Sequence, residues 1–233
     1  MRLQNTAAKL AAGLSILTLF TGTVEAKEPK RPRVEIRTEL GTMVVELYNE
    51  TPLHRDNFLK MVDEGRYDSL LWHRVIPEFM VQGGDPDSKR APIGKALGDG
   101  GPGYVVPAEF NLTLIHKMGA LCAARMGDEE NPGKASNGSQ FYIVQGKSWQ
   151  ARELQMLIDQ KNRGNAPPKY RYTAEQVAAY TSLGGAPHLD GDYTVFGEVI
   201  EGQDVIAKLS MLACDRNDRP LVDVHMWMKV LKR

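Results

Sequence analysis

Short runs of alternating apolar and polar residues, each closed by a turn signal, recur along this chain and limit what it can fold into. Val34-Glu35-Ile36-Arg37-Thr38 has the period of two that sends successive side chains to opposite faces of a strand. Leu40-Gly41-Thr42 is a turn and Met43 to Tyr48 the return strand, which predicts a hairpin. Further strands are expected at Leu71 to Val75, Met80 to Gln82, Gly119 to Ala124, Ser139 to Val144, Thr194 to Val199 and Val222 to Leu231. One helix opens at Thr51 as N-cap with Pro52 at its first position. Phe58, Met61 and Val62 form its apolar stripe, and Gly65 ends it. A second runs from about Gln203 to Leu212. Many short strands with few helices make the chain mainly β, either a closed antiparallel barrel or a sandwich.

The first 26 residues follow another pattern. Arg2 and Lys9 are a positive n-region, Leu10 to Phe20 an apolar h-region, and Val24-Glu25-Ala26 a small-x-small cleavage site. The apolar run is about 11 residues, short of the ~20 that span a bilayer, so a signal peptide removed after Ala26 is the expectation. Residues 27–32 read as a flexible leader and 33–233 as one domain. The product is expected to be periplasmic or secreted, with no stable membrane insertion after cleavage. The formal net charge of +0 offers no footprint for nucleic acid.

The chain has two cysteines, Cys122 and Cys214, and neither has an adjacent base that would activate it. Two free core thiols are favoured over one disulfide. The histidines lack ligand spacing, so no metal is expected, and no cofactor. Gly98-Asp99-Gly100-Gly101-Pro102-Gly103 has neither the dinucleotide nor the P-loop spacing and reads as a structural turn.

The densest chemistry lies in residues 72–85, Trp-His-Arg-Val-Ile-Pro-Glu-Phe-Met-Val-Gln-Gly-Gly-Asp. One cation (Arg74), two bulky apolar groups (Phe79 and Met80) and one amide donor (Gln82) come without an acid–base pair or nucleophile. That set suits a reaction that breaks no covalent bond. Rotation about an X–Pro bond is such a reaction, opposed by an amide barrier of ~18–20 kcal/mol.

Two more blocks follow in order, Asn137-Gly138-Ser139-Gln140-Phe141-Tyr142-Ile143 and Leu189-Asp190-Gly191-Asp192-Tyr193-Thr194-Val195-Phe196-Gly197-Glu198-Val199. Together the three blocks resemble the cyclophilins, prolyl isomerases built on a closed eight-stranded antiparallel barrel capped by two helices. The resemblance covers about residues 33–148 and 187–232. It implies Arg74 as the catalytic arginine, steadied by Gln82. It implies a substrate-binding wall of Phe79, Met80, Ala124, Gln140 and Leu189. Leu121 to Met126 would be an edge strand that pairs with extended substrate backbone, through the Arg125 main chain. Proline-containing segments of folding or exported proteins are the implied partners. A periplasmic chaperone or assembly module with incidental turnover is the alternative reading.

The sequence departs from the family pattern at several wall positions. Tyr142 stands where many members have phenylalanine, and its hydroxyl needs water or a partner. Tyr193 and Arg125 resemble bacterial members, which favours a Gram-negative periplasm. His188 replaces the tryptophan whose indole bonds cyclosporin in sensitive members. Cyclosporin is therefore expected to inhibit weakly, and a nanomolar inhibition constant would refute this.

Residues 149–186 form an insert beyond the minimal fold. Ser148 is expected to cap a helix through Asn162, stopped by Arg163-Gly164, and Asn165 to Pro168 to be a linker. Thr173-Ala174-Glu175-Gln176 reads as the capping box of a second helix ending at Gly184-Gly185. The pair rejoins the chain just before Leu189, so it should lie beside the pocket, as a decoration or as a lid or docking surface for larger clients.

Overall fold

The computed structural model of this protein describes residues 30–165, 167 and 169–232. The signal segment and part of the 165–168 linker lie outside them. In chain order the elements begin with strands β1 (Arg33–Thr38) and β2 (Gly41–Leu47), helix α1 (Pro52–Asp63), and strands β3 (Leu70–Ile76) and β4 (Met80–Gly83). Then come β5 (Val105–Val106), β6 (Ala120–Ala123), β7 (Ser136–Asn137) and β8 (Phe141–Val144). Helices α2 (Ala151–Lys161) and α3 (Ala174–Ser182) follow, then β9 (Val195–Glu201), α4 (Gln203–Ser210) and β10 (His225–Val230).

Eight strands close into a barrel in the order β1-β10-β3-β4-β8-β6-β9-β2, with β5 and β7 as a separate ribbon. Every neighbouring pair is antiparallel. Closure leaves no free sheet edge, so each strand's backbone is paired on both sides. The expected barrel is therefore the one found, and the sandwich is excluded.

Alternation along each strand sorts the side chains. On β8, Phe141 and Ile143 join the interior cluster with Val34, Ile36 and Leu121, while Tyr142 and Val144 join a second cluster with Met80 and Cys122. Helix α1 places Phe58, Met61 and Val62 against the interior, as its stripe predicts. The Phe58 ring meets Phe141 edge-on at 5.5 Å and Tyr67 at 5.1 Å. Helix α4 contributes Val205, Ile206 and Leu209. The second cluster forms the apolar base of the pocket described below.

Three local expectations change. Thr51 precedes α1, but its hydroxyl makes no capping bond. The cap comes from Glu109, whose carboxylate accepts from Leu53 N–H (3.1 Å) and His54 N–H (2.9 Å). Helix α2 starts after Gln150 rather than after Ser148, and Glu153 accepts the Gln150 N–H at 2.8 Å. Strand β8 starts at Phe141, because the Asn137 side-chain oxygen accepts from Ser139 N–H and Gln140 N–H and holds them in a turn. The α3 capping box forms as read. Both cysteines are free thiols, but only Cys122 is a core residue.

Candidate active site

A cavity of about 410 Å³ opens on the outer wall of the barrel over β3, β4, β6 and β8. Its polar side carries Arg74 and Gln82, and its apolar side Phe79, Met80, Tyr142 and Leu189. Ala124, Arg125 and Tyr193 line it as well, so of the predicted residues only Gln140 and His188 are absent from its lining, while Gly98 and Asp99 are added. The last two were read as a plain turn.

The 98–100 loop is more than a turn. Gln140 is buried and donates its amide N–H groups to the carbonyls of Gly98 (2.8 Å) and Gly100 (2.6 Å). Its Oε1 accepts from Gln82 Nε2 at 2.9 Å. That fixes the Gln82 amide so that its own Oε1 faces Arg74 Nη1, at 3.4 Å. Gln140 is therefore not a wall residue; it steadies Gln82 from behind. Asp85, at the end of the Gly-Gly-Asp turn, anchors the loop through the Gly98 N–H (2.6 Å). The Arg74 guanidinium keeps donors free, because its remaining partner is the half-exposed Asp218 at 3.5 Å.

The wall is held just as specifically. Arg125 is almost wholly buried along its side chain, with its guanidinium 4.3 Å over the Tyr193 ring. Its Nε donates to the Asp192 carbonyl at 2.9 Å. It is a strut for Tyr193. The expected edge strand does not exist, since β6 sits between β8 and β9. Ala124 N–H is also engaged, by the Gln140 carbonyl, and Ala124 C=O by Asn137 N–H. His188 does not line the cavity; its ring packs on Phe79 at 5.5 Å. Burial holds the His188 imidazole below its ordinary pKa. The Tyr142 hydroxyl finds the partner it needs in His116 Nε2, at 3.1 Å.

The family model for cyclophilin type peptidyl-prolyl cis-trans isomerase/CLD matches residues 33–229. The chain belongs to the cyclophilins. A putative peptidyl-prolyl cis-trans isomerase of Staphylococcus aureus (strain USA300) is 36% identical over 196 residues, covering 82% of this chain and 87% of that protein. The Staphylococcus epidermidis protein of the same description matches equally, at 36% identity over 196 residues. The crystal structure of a Cryptosporidium parvum cyclophilin type peptidyl-prolyl cis-trans isomerase superposes with a TM-score of 0.62 at 22% identity. It covers 87% of this chain and 99% of that one. A second structure of it, obtained in the presence of the dipeptide Ala-Pro, gives 0.61 at 23%. This cyclophilin is a peptidyl-prolyl cis–trans isomerase.

The cyclophilin also contains a Ser–His–Glu geometry away from the cavity. His54 Nε2 lies 2.9 Å from Ser136 Oγ, and His54 Nδ1 2.7 Å from Glu109. A hydrolase would need an exposed nucleophile and room for an acyl group. Ser136 and His54 are buried instead, with the His54 ring against Phe196. The trio therefore acts as a staple between α1, β7 and the Glu109 loop.

His73, beside Arg74 in the chain, is buried with neither ring nitrogen bonded. Burial lowers its pKa to about 4, against an opposing pull from Asp85 and with some help from Arg74. At pH above the unfolded value of 6.5 the ring is neutral in both states. As pH falls toward 4 the unfolded chain takes up a proton that the native chain refuses. Stability is thus full above pH 6.5 and declines below it, by on the order of 3 kcal/mol from this residue. Urea midpoints should drop between pH 7 and pH 4.5, and His73→Gln should flatten the drop. Equal slopes for both proteins would show that His73 charges freely in the native state.

Proposed function

We propose that this cyclophilin isomerises X–Pro bonds of exported proteins during folding. The apolar side of the cavity clamps the proline ring while Arg74 bonds the twisted imide. One observation carries the reading: a guanidinium set by the Gly98–Gln140–Gln82 amide chain faces an apolar floor within one 410 Å³ cavity.

The chemistry follows from resonance. Rotation removes conjugation, so the imide nitrogen becomes pyramidal and basic only in the twisted state. A donor aimed there stabilises the transition state over the ground state, and each ~1.4 kcal/mol gained is tenfold in rate. Arg74 is a permanent, forked donor, and its Gln82 partner reduces the freedom it must lose. Phe79, Met80, Tyr142 and Leu189 hold the ring still, so that rotation is confined to the preceding carbonyl. The Ala-Pro dipeptide present with the Cryptosporidium parvum cyclophilin contains one X–Pro bond, as this reading requires of a ligand.

The signal-like residues 1–26 support export, and the bacterial-like Tyr193 and Arg125 support a periplasm. The insert is the feature that favours the second reading, a holding module. One preparation separates the two: the mature chain, recovered from the periplasm of an expressing bacterium and assayed by protease-coupled X–Pro isomerisation. A chain starting at Lys27 with fast turnover supports the proposal. A chain retained inside the cell overturns the export claim. An inactive chain that still protects a refolding client makes it a holder.

A further inference from the structure

Asp190 is a buried carboxylate in the loop that also supplies Leu189 to the cavity wall. Its Oδ1 accepts from the His116 backbone N–H (2.9 Å) and faces His116 Nδ1 (2.7 Å). Its Oδ2 accepts from the hydroxyls of Tyr172 and Tyr180, both at 2.5 Å. Tyr180 belongs to α3, and Tyr172 lies just before it. Lys161, the last residue of α2, donates to the Asp190 carbonyl at 2.7 Å and pairs with Asp192. Both helices of the insert thus converge on Asp190, α3 on its carboxylate and α2 on its backbone carbonyl.

The far end of the same chain is the cavity floor. A carboxylate oxygen accepts, so His116 Nδ1 is the donor to Asp190, and in the neutral tautomer that this sets Nε2 is an acceptor. The Tyr142 hydroxyl then donates to Nε2, with the two rings stacked at a 14° interplanar angle. Asp190, His116, Tyr180 and Tyr142 are buried and Tyr172 is partly so, and Tyr142 alone among them borders the cavity.

We infer that the insert is a positioning element of the proline pocket: Tyr172 and Tyr180 hold Asp190, Asp190 orients His116, and His116 fixes the Tyr142 ring. This rests on the pocket being the substrate site. It makes the insert neither a detachable decoration nor simply a docking surface. Removing residues 150–184 would strip Asp190 of both hydroxyl partners, so that deletion cannot isolate client docking. The relay bears on proline binding in ground and transition states alike, so its loss should raise KM and leave kcat nearly unchanged.

The test is the Tyr172→Phe/Tyr180→Phe double variant, which removes two hydroxyls and keeps both rings packed. With an Ala-Ala-Pro-Phe peptide, its KM should rise about fivefold to tenfold with kcat within twofold of wild type. Adding Tyr142→Phe should cause little further loss, because that hydroxyl is the end of the same relay. A KM within twofold of wild type, or losses that multiply, overturns the inference. Arg74→Ala run alongside separates the two failures: if it too is unchanged, the pocket assignment falls. If the double variant does not fold, each single variant carries the same comparison.

Discussion

Arg74→Ala should lower kcat/KM for a short X–Pro peptide about 100-fold, with the loss almost entirely in kcat. The guanidinium is useful only when the imide nitrogen gains a lone pair, so its removal raises the barrier and not the cost of binding. A charged donor in a partly dry cavity is worth about 2.7 kcal/mol to the transition state, which is the stated factor. Stability should change little. Arg74 makes one long bond to Gln82 and one exposed ion pair with Asp218, a class worth ~0–1 kcal/mol. Arg74→Lys keeps the charge but loses the fork, and should fall between the two. The measurement is protease-coupled isomerisation beside a urea unfolding curve. A kcat/KM within threefold of wild type, from a stably folded variant, would remove Arg74 from the chemistry.

What was legible in the sequence had short range. The period of two found β1, whose burial alternates, while β6 and β8 were legible as short apolar runs between turn signals because both of their faces are covered. Thr173 and Gln176 meet across three residues, so the α3 capping box could be read directly. Glu109 lies 55 positions from the His54 N–H it caps, and nothing local announces it. Thr51 looked like the cap because it has the right chemistry in the right place, but tertiary contacts supplied a stronger acceptor. Gln140 and Arg125 show the same limit at the site. Their types and positions were legible, but not the direction of their side chains. Gln140 turns toward the 98–100 loop and Arg125 onto Tyr193, because those partners satisfy groups that burial would otherwise leave unpaired. Gly98 and Asp99 were missed for the opposite reason, since the loop is held through the backbone carbonyls of Gly98 and Gly100, which every residue carries. A buried Asp85 followed by a Gly-rich run was the available signal.

Asp190 is the extreme case of a residue that sequence alone leaves unremarked, and it sets the second large effect. Asp190→Ala should destabilise the fold by about 4 kcal/mol, seen as a fall in the urea midpoint at pH 7. The substitution orphans the His116 N–H, the His116 Nδ1–H and the buried Tyr180 hydroxyl at once, and leaves the part-buried Tyr172 hydroxyl only its longer bond to the Pro187 carbonyl. Each unpaired buried group costs ~1–3 kcal/mol, and the loop that carries Leu189 loses its anchor. Asp190→Asn discriminates between charge and hydrogen bonding. Its amide oxygen can still accept from His116, and its NH2 can donate to a tyrosine oxygen turned to receive it. If bonding geometry dominates, Asn should recover more than half of the loss. If the negative charge matters most, Asn should be nearly as damaging as Ala. An Ala variant as stable as wild type would mean that the carboxylate's desolvation already cancels its bonds. The insert would then owe its place to the packing of Leu154 and Tyr180 against Ile115 alone.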